Sequence, residues 1–304
     1  MKPAPFKYYA PSTVDEALLR LAEHGWDAKV LAGGQSLVPM MNFRLAQPAV
    51  LVDLNGVSEL FYIQTGKSGG LNIGAMTRQR QVELDPRVAE RAPMLSEALS
   101  KVAYPQIRSR GTLGGSIAHA DPSAELVALS VALESRLRLR SKQKGERWVA
   151  ANEFFLGLFT TALEPDELLV EVELPPMPQR SGWSFMEVTR RHHDFALVGV
   201  AAVVVLEKAR DPQVARCERA RLVYFSVGDG PVEAHQAAAA LKGQEPTPEA
   251  ILDAAETAGD ADVDPNSDIN ATAEYRRHLV KVLGRRALTE AFERARDGAR
   301  RRLL

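Results

Sequence analysis

Two glycine pairs, Gly33-Gly34 and Gly114-Gly115, constrain this chain more than any other feature. The first lies in Ala32-Gly33-Gly34-Gln35-Ser36-Leu37, directly after an apolar stretch that reads as a strand over residues 28–32. The second lies in Thr112-Leu113-Gly114-Gly115-Ser116-Ile117 and opens an apolar stretch that reads as a buried helix. Glycine lets successive backbone N–H groups point one way and lets another group approach the main chain closely. Such N–H nests bind anions, and a helix that starts at the nest adds its dipole. A lone Gly-Gly turn is most often structural. Two turns of one style offer enough donors for both halves of a diphosphate. Neither fits G-x-G-x-x-G or the phosphate loop that ends in Gly-Lys-Ser/Thr, so a Rossmann site and a P-loop are both unsupported.

The rest of the composition narrows the class. With 304 residues, the chain suggests about two domains or one large one. Lys and Arg number 38 against 39 Asp and Glu, a net charge of -1 that argues against a general nucleic-acid binder. The single Cys217 rules out intrachain disulfides. It also excludes a Cys-based zinc site or an iron–sulfur cluster held by this chain, each of which needs about four ligands. Cysteine scarcity points to a reducing compartment. The N-terminal stretch has no apolar signal core, and no apolar run reaches the ~18 residues of a membrane span. The expectation is a cytoplasmic protein.

Helix and strand alternate through the first third. Thr13 and Glu16 have the spacing of a capping box. Residues 28–32, 49–54 and 70–75 read as strands, and 77–83 and 94–103 as helices. From Gly111 to Leu133 the pattern predicts one buried helix followed by a strand. Lys142 to Gly145 is a polar hairpin tip. Pro175, Pro176 and Pro178 stop both helix and ladder, marking an internal boundary. Beyond it, residues 183–190, 195–206 and 220–226 read as strands, and the Ala-rich remainder from Val232 as three helices.

Other chemistry is thin. His119, Asp121 and Glu125 follow the second glycine pair. They read either as a catalytic group or as polar trimming of a cofactor pocket, since Asp121-Pro122-Ser123 is also a helix-start signal. Adjacent His192 and His193 on a strand would face opposite sides and share no metal easily. Ser36 and Ser116 lack the Gly-x-Ser-x-Gly setting of a nucleophilic serine.

AGGQSLVPMM (Ala32 to Met41) and PQIRSRGTLGGSIAHADPSAE (Pro105 to Glu125) closely resemble the FAD-binding medium subunit of the molybdenum hydroxylases, the xanthine dehydrogenase and aerobic carbon monoxide dehydrogenase group. The likeness extends to Val52-Asp53-Leu54, Ile73-Gly74-Ala75-Met76-Thr77, Asp194-Phe195-Ala196 and Ala273-Glu274-Tyr275-Arg276-Arg277. It implies an α+β, vanillyl-alcohol-oxidase-like (PCMH-type) FAD-binding fold. Residues 1–56 and 57–177 would be two FAD-binding subdomains, and 178–304 a C-terminal domain with a three-stranded antiparallel sheet and a helical bundle. It also implies an oxidoreductase subunit that passes electrons from iron–sulfur clusters through FAD to an external acceptor. The implied partners are a large molybdopterin subunit and a small subunit with two 2Fe–2S clusters, arranged as a dimer of heterotrimers. The alternative is a stand-alone FAD-dependent oxidoreductase of the same fold.

Site residues carry over by position. Ala32, Gly33, Gly34, Gln35 and Ser36 resemble one diphosphate clamp, flanked by Val30, Leu31 and Leu37. Thr112, Gly114, Gly115 and Ser116 resemble the second. Glu125 matches an acidic residue facing the adenosine ribose, Leu169 a position near the isoalloxazine, and Phe195 an aromatic that stacks on it. No catalytic or metal-ligating residue is implied. On this reading Gly33→Val or Gly114→Val removes FAD while folding largely survives. Phe195 either stacks on flavin or belongs to the core of the C-terminal sheet.

Overall fold

The computed structural model describes residues 2–301, with side chains for residues 2–299. The last three residues of the expected C-terminal domain lie outside the described residues. Strands β1 (Lys7–Tyr9), β2 (Ala28–Leu31) and β3 (Val50–Asp53) form a parallel sheet in the order β1-β3-β2. Parallel neighbours need crossovers, and helices α1 (Val14–His24) and α2 (Leu37–Asn42) supply two of them. The Thr13 hydroxyl accepts from the Glu16 N–H at 3.2 Å, while the Glu16 carboxylate accepts from the Ser12 N–H and hydroxyl. Val14, Ala17, Leu18 and Leu21 recur at helical spacing and are the buried face of α1. Because β3 is central, Val50, Leu51 and Val52 are all buried. The carboxyl ends of β2 and β3 therefore lie side by side and deliver Ala32 to Ser36 next to Asp53 and Asn55.

The second sheet is antiparallel. It comprises β4 (Ile63–Thr65), β5 (Leu71–Gly74), β6 (Arg136–Ser141), β7 (Gly145–Ala150) and, after a small hairpin of β8 (Phe155–Gly157) and β9 (Thr160–Thr161), β10 (Glu167–Leu174). The order is β4-β5-β10-β6-β7. Six helices intervene between β5 and β6: α3 (Gln79–Leu84), α4 (Pro86–Arg91), α5 (Pro93–Leu99), α6 (Pro105–Arg108), α7 (Leu113–His119) and α8 (Glu125–Ala132). The one helix expected up to Leu133 is thus two. Ala120 adopts the left-handed region at φ 52°, which ends α7, and Pro122 cannot continue a helix. Short α9 (Ala151–Phe154) follows β7. Central β10 serves both units: Leu168 and Val170 join the core under the first sheet, whereas Leu169 and Val172 join the core beneath the helices.

After the prolines, β11 (Ser181–Thr189), β12 (Ala196–Leu206) and β13 (Cys217–Phe225) form three long antiparallel strands, with the two-residue β14 (Val232–Glu233) at the edge. Helices α10 (His235–Leu241), α11 (Pro248–Thr257) and α12 (Ala273–Arg301) complete the fold, with Pro246 between the first two and Pro265 between the last two. All eleven residues of β12 are buried. A strand covered on both faces reads as a continuous apolar run rather than an alternating one. Here α12 packs on one face, with Val198 and Val200. The second unit packs on the other, with Ala201 and Val203.

Candidate functional site

Two loops converge where the first two sheets meet. A cleft of about 240 Å³ is lined by Leu31, Ala32, Gly33, Gly34, Gln35, Val38, Asp53, Asn55 and Arg110. One wall is the turn after β2. The other is the loop that leads from α6 into the second glycine pair. The walls touch: a Cβ on Gly33 would lie 2.5 Å from the Arg110 carbonyl oxygen and 2.8 Å from Gly111 Cα. A Cβ on Gly115 would lie 3.1 Å from Ala32 Cβ. The sequence motifs some 80 residues apart are thus one structural unit, and glycine is required by close approach of protein to protein.

The two turns differ in what their N–H groups do. In the first, the N–H groups of Gly33, Gly34, Gln35 and Ser36 donate to no acceptor among the described residues. Gly34 holds φ at 75°, a left-handed conformation that favours glycine. The Gln35 side chain donates to the Gly33 carbonyl at 3.1 Å, and Asn55 Nδ2 to the Ala32 carbonyl at 2.9 Å. In a trans peptide C=O and N–H point oppositely. These two bonds therefore fix the directions of the Gly34 and Gly33 N–H groups. In the second turn the N–H groups of Leu113, Gly114, Gly115 and Ser116 all have partners. Leu113 donates to Thr77 O at 3.0 Å, Gly114 to Ala75 O at 2.9 Å, Gly115 to Thr112 Oγ1 at 3.1 Å and Ser116 to Thr112 O at 3.2 Å. Buried Thr112 is the N-cap of α7. Expected as a second nest, this turn is instead a capped helix start whose donors are engaged by the protein.

Arg110 and Asp53 are the charged residues that line the cleft, and Arg78 stands behind its walls, bonded to both. Arg78 and Arg110 have no ion pair among the described residues. Burial, and then neighbouring Arg110, lower the pKa of the half-buried Arg78, with Asp53 opposing. Asp53 is already engaged, accepting from Tyr8 Oη at 2.5 Å and from the Asn55 N–H at 2.9 Å. A run of free N–H groups beside two guanidinium groups is chemically suited to an anion such as a diphosphate.

The other expected residues lie at different places. Val30 and Leu37 are half-buried just outside the turn. Leu169 is 4% exposed in the core on β10 and does not line the cleft. Glu125 opens α8. Burial pushes its carboxyl up to about 8, and Glu187 and Asp121 add to the effect. Glu187, on β11, is pushed up to about 7 by burial, with Lys101 pulling back, and its Oε2 is buried without a hydrogen bond. Phe195 is 67% exposed at the β11–β12 connection, which excludes the core alternative. In the same connection the His193 ring lies 5.1 Å from that of Tyr104. His119 is half-buried against Phe159, and burial lowers its pKa. Sequence reasoning singled out none of Arg78, Arg110 and Asn55 as site residues.

Comparison with known proteins shows the family. Residues 4–177 match the family model described as the FAD binding domain in molybdopterin dehydrogenase, and residues 183–291 the carbon monoxide dehydrogenase flavoprotein C-terminal domain. The chain is 38% identical to the 6-hydroxypseudooxynicotine dehydrogenase complex subunit alpha of Paenarthrobacter nicotinovorans, over 97% of each chain. It is 38% identical to the caffeine dehydrogenase subunit beta of Pseudomonas sp. (strain CBB1), again over 97% of each. Among solved structures, a chain of carbon monoxide dehydrogenase from Hydrogenophaga pseudoflava superposes with a TM-score of 0.90 at 38% identity, covering 97% of this chain and 99% of that one.

Proposed function

The chain belongs to the FAD-binding medium subunits of the molybdenum hydroxylase family, and from that premise we propose that the cleft between the first turn and the Arg110 loop holds the FAD diphosphate. The observation that carries this reading is the run of N–H groups from Gly33 to Ser36, without an acceptor among the described residues, at a cleft that Arg110 also lines. In this proposal Ala32 to Ser36 bind the diphosphate, with Val30, Leu31 and Leu37 in flanking contacts. Thr112 to Ser116 act mainly by shaping the wall. Glu125 contributes a polar contact, Phe195 stacks on the isoalloxazine and Leu169 packs near it.

FAD, when bound, supplies one- and two-electron redox chemistry. The proposed role of the chain is to hold it so that electrons from iron–sulfur clusters on a partner subunit reach an external acceptor. The partners proposed are a large molybdopterin subunit and a small iron–sulfur subunit, in a dimer of heterotrimers within the cytoplasm. Exposed apolar side chains such as Trp26 (81%), Phe43 (64%) and Leu45 (76%) give a partner apolar area to cover. Among the described residues no helix is long and apolar enough to cross a membrane. The proposed unit boundaries fall after residues 56 and 177. The test is to isolate the chain from its native host and measure its FAD, iron and molybdenum together with co-purifying chains. Stoichiometric FAD with iron and molybdenum on two further subunits is the expected result. A yellow, active single chain that co-purifies with neither metal would overturn the electron-transfer role in favour of the stand-alone enzyme.

A further inference from the structure

Arg78 stands at the start of α3, half-buried, and reaches both walls of the cleft. Its Nη1 donates to the Arg110 carbonyl at 2.6 Å and its Nη2 to Asn55 Oδ1 at 2.6 Å. The guanidinium also lies 5.3 Å from the centre of the Phe61 ring. Asn55 in turn donates to the Ala32 carbonyl, and Ala32 O shares its peptide plane with the Gly33 N–H. One side chain from the second sheet's unit therefore ties the first turn, through Asn55, to the loop that carries Arg110. A planar fork of fixed geometry does this where a flexible ammonium cannot bond both acceptors in the same way.

We infer that Arg78 is a positioning residue for the diphosphate: it sets the separation of the two cleft walls and the direction of the Gly33 N–H, while Arg110 supplies charge from the facing wall. This rests on the reading that the cleft holds the FAD diphosphate. Arg78 lies near enough to Arg110 for the two charges to repel, and the neighbouring Asp53 carboxylate is already engaged by Tyr8 and Asn55. An anion in the cleft that Arg110 lines offsets that repulsion.

The experiment compares the full-length chain with Arg78→Ala, Arg78→Lys, Asn55→Ala and Arg110→Ala. FAD and ADP are the probes, adenosine is the control without phosphate, and thermal unfolding is measured on each apoprotein. Arg78→Ala is expected to weaken FAD and ADP by about tenfold or more and to leave adenosine binding unchanged, an effect the size of one lost charge-assisted contact. Arg78→Lys keeps the charge and is expected to stay impaired. Arg110→Ala is expected to weaken both phosphate ligands and flatten their salt dependence. Full rescue by Arg78→Lys overturns the positioning role, because charge alone would then suffice. Unchanged FAD and ADP affinity with a lowered apoprotein Tm also overturns it, making Arg78 a folding strut only. If Arg78→Ala does not fold, Asn55→Ala decides: it cuts the tie to the first turn, and unchanged affinity there defeats the inference. A wild-type chain that binds FAD but not ADP points instead to failure of the diphosphate reading itself.

Discussion

Gly33-Gly34 and Gly114-Gly115 look interchangeable in sequence, yet the protein uses them in opposite ways. The first leaves four successive N–H groups without acceptors among the described residues and anchors the intervening carbonyls with Asn55 and Gln35. The second has its donors engaged by Thr77, Ala75 and Thr112. The first is built as a ligand surface. The second is a joint, whose missing side chains let α7 pack on β5's exit and let the first turn approach. Because each turn forms the other's wall, damage to the joint reaches the ligand surface without touching a ligand donor.

The largest effect expected is therefore on folding. At Gly114 a Cβ would lie 2.5 Å from Ala75 Cβ and 2.8 Å from Ala75 Cα and O; at Gly33 it meets the Arg110 backbone. Backbone cannot swing aside as a side chain can. Gly114→Val and Gly33→Val should each cost more than ~3 kcal/mol of stability, beyond ordinary overpacking. This replaces the sequence expectation that such variants lose FAD while folding survives. Urea unfolding of the apoproteins checks it, and wild-type midpoints would show that the walls do not meet as described.

The sequence made the first turn legible because its donors are local, an apolar strand, two glycines, then a helix start, whereas its Asn55 anchor comes from 23 residues further on. The second was legible in place but not in role, because its acceptors Ala75 and Thr77 come from a segment more than 30 residues earlier. The same limit hid the charged wall. Arg78 meets Asn55 across 23 residues and Arg110 across 32, and no local pattern marks either contact. The split between α7 and α8 was obscured because apolar residues continue on both sides of Ala120. At Phe195 the apolar run misled by one residue: the strand begins at Ala196, and the Asp194 carboxylate accepts from the Phe195 N–H at 3.1 Å. The broad architecture survived these errors because patterning of buried faces, rather than any single boundary, determines it.

The titrating chemistry of the second segment lies one helix beyond its glycine pair, and pH sharpens the contrast with the first turn. Glu125 and Glu187 have carboxyls raised to about 8 and about 7 by burial. A raised carboxyl contributes stability that is fully present below its unfolded pKa and is lost as pH rises through the folded value. Apoprotein stability should thus decline between about pH 4.5 and pH 8. Glu187→Gln should remove ~2 kcal/mol of that decline after allowance for partial exposure. Asp268 acts oppositely in a separate window. Desolvation, the largest single influence, raises its carboxyl, but the Ala271 and Asn270 N–H groups and Arg276 together hold it down to about 2, so its contribution is lost as pH falls from about 3.8 through that value, which midpoints at pH 2–4 check. Denaturation midpoints across pH 4–9 test the assignment, and an unchanged slope in Glu187→Gln would remove Glu187 from it.

A smaller effect separates conformation from contact within the first turn. At Gly34 an added Cβ finds Val38 Cγ2 at 3.3 Å and Leu31 Cδ1 at 3.4 Å, which side chains can accommodate, but φ remains at 75°. Gly34→Ala should therefore fold, at a cost of about 1 kcal/mol from the left-handed backbone. Parallel thermal unfolding and FAD titration should show a modest loss in both. A loss in Gly34→Ala as large as in Gly114→Val would erase the distinction between ligand surface and joint.

The smallest stability effect is expected at Phe195, and there the contrast is between a side chain held by protein and one left for a ligand. A buried phenylalanine replaced by alanine costs roughly 3–5 kcal/mol. Phe195 is 67% exposed, and its truncation should change stability by less than ~0.5 kcal/mol. The strand that follows is closed on both faces, so this ring is the last residue of the connection before the chain enters the core. An aromatic left this open at the entrance to a sheet has area to offer an aromatic partner. On the proposed reading that partner is the isoalloxazine, and its stacking is worth ~1 kcal/mol. Phe195→Ala should then weaken FAD about fivefold and shift the flavin absorption envelope, with the apoprotein melting as wild type does. Phe195→Leu keeps apolar area without a π face, and should recover part of the affinity but not the spectrum. Wild-type flavin spectra and affinity in both variants would leave Phe195 as surface unrelated to FAD.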